Sequence, residues 1–360
     1  MIKKITCLLA LCLLITTLGG CNSANTSNSP AGTNEAPKTS QTSEAAASPA
    51  ASANYPKENI KAILGAGAGG STDSELRPLF SLVGARLGKS IIVDNITGGA
   101  TSIAAQTIYE KPADGYTLFG CAETHTVYDA HDLLNLSSNN FVPIIVTSDY
   151  SSFVFVNKNS PYNTWEELVA AEKANPGSVI KVASGSVGIN PTLGALWKKS
   201  MDVDFEVYTS ENAATAVTTV MGGFADFGLG VASTLNDFYR NGDIKILIVM
   251  DSERDPHYPN IPCVTEYYPE IADYFPLKTF FAVAVKEGTP QEIVDKLTTE
   301  FTAAWEDESY QEMIRNNFGT ALGLTGQDAV DYIADYRKAA CTVMINAGVI
   351  DKTLEELGLS

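Results

Sequence analysis

The chain has 360 residues, 45% of them apolar and only 18% charged, with a formal charge of −18. A surplus of carboxylates disfavours nucleic acid and anionic lipid surfaces as partners, because both are polyanions. It does not disfavour small anionic ligands, since backbone N–H groups hold a carboxylate without any Lys or Arg.

The first twenty residues carry Lys3 and Lys4 ahead of an apolar run from Ile5 to Leu18. This reads as a secretory signal, too short for a good membrane span. It ends Leu18-Gly19-Gly20-Cys21, which resembles the bacterial lipobox; by that resemblance Cys21 is diacylated and becomes the first mature residue. Loss of the two lysines would leave 22 basic and 42 acidic residues, a charge of −20. Residues 21–54 are rich in Ser, Ala, Thr, Asn and Pro with no apolar period, and read as a disordered tether. A flexible chain of that length reaches roughly 30 Å. Roughly 300 residues follow, enough for two packed lobes.

The folded part opens with an apolar strand, Ile60 to Leu64, that breaks into Gly65-Ala66-Gly67-Ala68-Gly69-Gly70-Ser71-Thr72-Asp73. Thr72 and Glu75 are spaced as a capping box, and Leu76, Leu79, Phe80, Val83 and Leu87 recur at helical spacing. Gly88 suits the helix stop, and Pro78 is expected to bend the helix. A glycine loop at a helix N-terminus is a candidate anion site, because unpaired N–H groups and the positive dipole end face outward with no Cβ in the way. The alternative is a tight strand-to-helix turn with glycine for geometry only. Asp73 is expected to serve the helix end and pair with Arg77 at i, i+4.

Gly65, Gly67 and Gly70 also spell G-x-G-x-x-G, and Asp94 ends the next apparent strand, Ser90 to Asp94. This nearly completes a dinucleotide fingerprint, so a dinucleotide-binding enzyme stands as an alternative. No Lys follows the glycines, which excludes a Walker loop. A second glycine loop, Asn95 to Ala100, feeds a helix through Ile103, Ala104 and Ile108. Pro112-Ala113-Asp114-Gly115 is a turn and Tyr116 to Phe119 the next strand. Alternating strand and helix predicts an α/β fold with a parallel sheet, whose ligands bind at the carboxyl ends of the strands.

Two apolar runs, Phe141 to Val146 and Phe153 to Val156, are split by Thr147 to Ser152, read as a crossing between lobes. Thr164 and Glu167 form a capping box, Val179 to Ala183 a strand, and Ser184 to Thr192 a loop that repeats the first: strand, small residues, helix. Strand Phe205 to Tyr208, helix Ala213 to Met221 and strands Ala225 to Leu229 and Ile244 to Met250 follow. Phe280 to Val285 reads as the return crossing. Thr289-Pro290-Gln291-Glu292 starts a helix with a cap, Pro at the first position and a box partner, and Ile293, Leu297, Phe301 and Trp305 line its buried face. The remainder to Ser360 reads as helices. The crossings divide the folded part into one lobe of residues 55–151 and 281–360 and another of residues 152–280.

Cys121, Cys263 and Cys341, like His125, His131 and His257, are scattered, so neither a disulfide framework nor a metal site is expected. Thr124 and His125 follow the strand that ends at Cys121, and Ser233 follows Gly230-Val231-Ala232; all three are candidates to reach the cleft. Gly185-Ser186-Val187-Gly188 approaches a nucleophile elbow, but Ser184 holds the first glycine's place and no His–acid partner is evident, so a hydrolase is not expected.

The glycine loop and Asp114-Gly115-Tyr116-Thr117-Leu118, on a chain with an anchoring leader, resemble the tripartite tricarboxylate transporter solute-binding family, the Bug-type receptors, from about Tyr55 to Gly348. Further motifs matching that family are Gly69-Gly70-Ser71-Thr72-Asp73, Val93-Asp94-Asn95-Ile96-Thr97-Gly98, Ser184 to Gly188, Pro259-Asn260-Ile261-Pro262-Cys263-Val264-Thr265-Glu266, and Gly288-Thr289-Pro290. The resemblance implies a two-lobed Venus-flytrap of the type II periplasmic-binding class. It implies no enzyme activity and no cofactor. It implies a small carboxylate ligand, a membrane permease of one large and one small subunit as partner, and a monomer held at the extracytoplasmic face of the membrane by its lipid. By the same resemblance Gly69, Gly70, Ser71 and Thr72 bind one carboxylate, and Ser184, Ser186, Gly188 and Asn190 bind from the other lobe. Tyr208 matches the family's Tyr-Lys-Gly tyrosine, with Thr209 and Ser210 in place of Lys-Gly, and the usual Pro-Phe before the glycines is missing. A sensor that presents its closed form to a signalling partner needs the same closure and is not separated from a transport receptor by sequence.

Overall fold

The structure is a computed structural model that describes residues 55–184, 188–210 and 213–359. The leader, Cys21, the tether and Ser186 lie outside the described residues.

The chain runs β1 (Ile60–Leu64), α1 (Ser71–Leu87), β2 (Ile91–Asn95), α2 (Ser102–Tyr109), β3 (Thr117–Ala122) and β4 (Phe141–Tyr150). It continues with β5 (Ser152–Asn157), α3 (Trp165–Ala174), β6 (Ile180–Ser184), α4 (Ile189–Met201), β7 (Glu206–Ser210), α5 (Ala213–Met221), β8 (Phe227–Val231), α6 (Ala232–Arg240) and β9 (Ile244–Met250). It closes with β10 (Thr279–Lys286), α7 (Gln291–Trp305), α8 (Glu308–Asn316), β11 (Thr320–Leu324) and α9 (Gly326–Asn346).

Two mixed sheets result. The first has the order β11-β4-β10-β3-β1-β2, the second β7-β6-β8-β5-β9. In the first, β1 pairs parallel with β2 and β3, Leu64 lying opposite Asn95 and Gly120, so both glycine loops leave the sheet at the same end. In the second, β6 pairs parallel with β7 and β8. Strands buried on both faces need continuous apolar runs; β5 (Ser-Phe-Val-Phe-Val-Asn) shows one, and β1 (Ile-Lys-Ala-Ile-Leu) shows one after the exposed Lys61. An aromatic group of Trp165, Trp197, Phe205 and Phe227 fills the second lobe, with Phe205 and Phe227 ring centres 4.8 Å apart.

The two lobes meet at a waist and share one apolar core, in which Ile63, Ala104 and Phe119 join Trp165, Leu193 and Phe227. β4 ends at Tyr150 and β5 starts at Ser152, so Ser151 alone joins the two sheets there, a tighter crossing than the six-residue split the sequence suggests. Tyr150 pairs with Thr279 on one side of it; Ser152 pairs with Val231 and Met250 on the other. Lys278 sits at this waist, 3.7 Å from Asp149 and 3.6 Å from Asp251.

Three local expectations are corrected. The Thr72–Glu75 capping box does not form: Gly70 in extended conformation is the N-cap, and Glu75 turns inward, where Ser148 Oγ and Tyr150 OH donate to its carboxylate. Helical phase decides this, because Glu75 lies on the face that Leu76 and Leu79 bury. Thr289 does not cap the next helix either; Pro290 holds that position and Thr289 Oγ1 donates to the Lys286 carbonyl at 2.7 Å. Residues 320–324, expected as helix, form edge strand β11 on β4, where sheet pairing overrides weak local preference. The Gly88 stop holds: Gly88 is left-handed and the chain closes on Ala85 O and Gly84 O.

Candidate functional site

A cavity of about 380 Å³ opens between the two sheets, at the carboxyl ends of β1 and β3. Its first wall is the start of α1. Within the glycine loop the Gly69 N–H donates to Asp73 Oδ2 at 2.9 Å and the Gly70 N–H to the Gly67 carbonyl at 3.0 Å. These two amides therefore hold the loop in shape and are not the outward donors that the glycine-loop reading expects. The amides of Ser71, Thr72 and Asp73 begin the helix and have no acceptor among the described residues, so the donor set lies one residue further along. Ser71 and Thr72 line the cavity.

Asp73 keeps that helix end rigid. Burial pushes its carboxyl up, but hydrogen bonds from Arg77, the Gly69 amide and Asn95 outweigh this and hold it below the usual aspartate range. Arg77 approaches Asp73 Oδ1 at 2.5 Å, the expected i, i+4 pair.

The second glycine loop forms the cavity's side. A Cβ on Gly65 would stand 2.6 Å from Thr101 Cβ, so only glycine lets the two loops touch. Ala100 (φ 51°) and Thr101 (φ 71°) are both left-handed, a strained conformation for residues with side chains, and both line the cavity. The Thr101 hydroxyl is held by Tyr128 OH.

The facing wall comes from the other sheet: Ile189 and Asn190 opening α4, Thr209 on β7, Ala213 opening α5, and Leu229 to Val231 on β8. Three helix starts thus border one small space. Ser152 and Thr279 line it at the waist.

The floor holds the one charged side chain among the described lining residues, Glu123, which follows β3. It is 5% exposed. The Ile189 N–H donates to its Oε1 at 3.3 Å, and its Oε2 has no partner among the described residues. Burial pushes its carboxyl up to about 7, against the hydrogen bonds from its own amide and from Ile189, which lower it.

Of the residues the sequence singles out, Gly70, Ser71, Thr72, Thr124 and Asn190 are brought together on the cavity. Gly69 lies just behind, in the loop. Gly188 is the N-cap of α4 at φ 93°, and a Cβ there would stand 2.9 Å from both Glu123 Oε1 and Thr124 Oγ1. Ser184 ends β6, paired with Ser210. Tyr208 does not line the cavity: strand alternation sends Thr209 there and leaves Tyr208 51% exposed. Ser233 lies in the first turn of α6, off the lining, its hydroxyl buried without a partner among the described residues. His125 is a core residue, bonded through Nδ1 to the Ala122 carbonyl and packed between Phe119 and Phe280; burial pushes it down to about 4. Asp94, the acidic half of the dinucleotide fingerprint, is 2.7 Å from Lys61 and is not on the cavity. Glu123, Thr101 and Thr209 escape sequence reasoning; a carboxylate directly after the strand end Gly120-Cys121-Ala122 is the signal that marks Glu123.

The sequence matches a known family. The model for the tripartite tricarboxylate transporter family receptor matches residues 77–348. The chain belongs to that family. The match begins inside α1, so the glycine loop lies just ahead of it. Among curated relatives, Protein BugT of Bordetella pertussis is 24% identical over 294 residues, covering 80% of this chain and 89% of the relative. Among solved structures, R. palustris Rpa4515 with adipate superposes with a TM-score of 0.75 at 21% identity, covering 82% of this chain and 98% of that one. MatC from Rhodopseudomonas palustris with bound malate gives 0.72 at 19% identity, covering 81% and 100%. These likenesses establish the two-lobed periplasmic-binding-protein fold. As a member of this receptor family the chain is a solute-binding protein and not an enzyme, which sets aside the dinucleotide enzyme.

Proposed function

We propose that this receptor captures a small carboxylate (a di- or tricarboxylate or similar organic acid) in the interlobe cavity and hands it to a two-subunit membrane permease. The observation that carries the reading is the start of α1: the Ser71 and Thr72 amides at a positive helix end, bordering a cavity without Lys or Arg among its described lining residues, with the Asp73 amide next along the helix. Each charge-assisted hydrogen bond to a carboxylate contributes roughly 1.5–3 kcal/mol. Four or five such bonds, drawn from both walls of the cavity, offset ordering costs and reach micromolar binding, which needs about 8 kcal/mol. The adipate and malate of the two R. palustris structures support a ligand of this kind. The lipobox-like Leu18-Gly19-Gly20-Cys21 supports a diacylated Cys21 that tethers the receptor beside its permease.

The test is a melting-temperature screen against dicarboxylates, tricarboxylates, acidic amino acids and aromatic acids, followed by calorimetry on any acid that shifts it. Ser71→Asp then places a carboxylate where the ligand's would sit. An acidic residue in a first helical turn suits the helix, so the fold should hold while affinity falls at least about a hundredfold. Unchanged affinity in Ser71→Asp, or no response to any acid, would overturn the reading.

A further inference from the structure

The helix start on the far wall is already occupied by the protein itself. Glu123 arises from the first sheet, after β3, yet its Oε1 takes the Ile189 N–H at the start of α4 in the second lobe. Gly188 is pressed against the same carboxylate, so the contact is built into the backbone. Of the three helix starts that border the cavity, this one is therefore neutralised from within. Its remaining oxygen, Oε2, is buried and lacks a donor among the described residues. A buried carboxylate oxygen without a donor is costly, and a group that supplies one is favoured there.

We propose that Glu123 sets the ligand class: the cavity takes an acid whose one carboxylate sits on the α1 start and whose other end carries an ammonium or comparable hydrogen-bond donor toward Glu123, in preference to a second carboxylate. This rests on the receptor reading above and narrows it. A second carboxylate at that end finds the Ile189 amide already used and is held only while Glu123 keeps its proton. An ammonium meets an acceptor with an open lone pair, and its positive charge lets Glu123 ionise in place. Neutral hydroxyls nearby, Thr124 and Thr209, reject neither ligand, so the discrimination falls on Glu123.

Three matched pairs test it: 3-aminopropanoate with succinate, 4-aminobutanoate with glutarate, and 5-aminopentanoate with adipate. Each pair shares chain length and one carboxylate and differs only in ammonium against carboxylate. Affinities are measured by calorimetry on the intact wild-type protein and on Glu123→Gln. In at least one pair the amino acid should bind wild type at least tenfold tighter than its dicarboxylate. Glu123→Gln should shrink that ratio at least tenfold, chiefly by weakening the amino acid. A dicarboxylate that binds wild type as well as or better than its amino partner would overturn the inference and leave the receptor reading standing. Binding of none of the six also overturns it; silence across the wider acid screen as well overturns both. The wild-type comparison decides even if Glu123→Gln fails to fold.

Discussion

Glu123→Gln should make the protein less sensitive to pH, and the size of the effect follows from the burial of that one carboxyl. An ordinary glutamate titrates near 4.5; in the fold, burial moves Glu123 up to about 7. The native state therefore holds a proton that the unfolded chain has released across this window, so stability falls as pH rises through it. The stabilisation is fully present below about 4.5 and gone above about 7, a change of about 3 kcal/mol from this group alone. Gln is isosteric, accepts the Ile189 N–H through its oxygen and never ionises. The assay is urea unfolding of both proteins at intervals from pH 4.5 to 8.5, without ligand. Glu75, whose carboxyl burial also raises, gives both proteins a shared downward slope, which cancels in the difference. Relative to wild type, the variant should gain about 3 kcal/mol between the two ends of the range. Parallel curves would refute the claim that a buried, half-satisfied carboxyl sits at the cavity floor.

Other outcomes follow from the same geometry. Gly188→Ala puts a Cβ at φ 93° and within 2.9 Å of Glu123 and Thr124, and should cost about 1–3 kcal/mol in urea unfolding. Lys278→Met leaves Asp149 and Asp251 facing each other at the waist; with Lys278 a quarter exposed, the loss should be about 2–3 kcal/mol, read as a lowered melting temperature at pH 7. Asp73→Asn removes the charge and turns one of the two oxygens that gather Arg77, Asn95 and the Gly69 amide into a donor, and should cost about 1–2 kcal/mol at pH 7. Because Asp73 titrates below its ordinary 3.8 in the fold, that cost should be full above this value and fade as acid protonates the wild type.

Much of the architecture is legible in the chain because the signals are local. The run Ile60 to Leu64, the glycines after it and the periodic Leu76, Leu79, Phe80 and Val83 name a strand, a loop and a buried helical face without reference to anything distant. What escapes is set by partners far along the sequence. Glu75 reads as a capping residue until Ser148 and Tyr150 claim its carboxylate from across the lobe. Residues 320–324 read as helix until the free edge of β4 is there to pair with them. The site divides in the same way. The small residues at the α1 start are visible as a motif, whereas which of their amides remain open depends on Asp73 folding back on Gly69. Glu123 is marked only by its place directly after a strand end, and its meaning comes from Ile189, sixty-six positions later in the chain.

The lone Ser151 between β4 and β5 bears on how such a molecule would move. One residue offers two soft torsions and no slack, and its neighbours are pinned by ladder hydrogen bonds to Thr279, Val231 and Met250. With the second crossing, residues 251–278, and the packing of α9 on α4, this short link favours a swing of the halves over a slide. Such a swing displaces the far rim of the cavity most and Ser152 and Thr279 least, so reporter dyes at the rim would register opening while a dye at the pivot stayed silent.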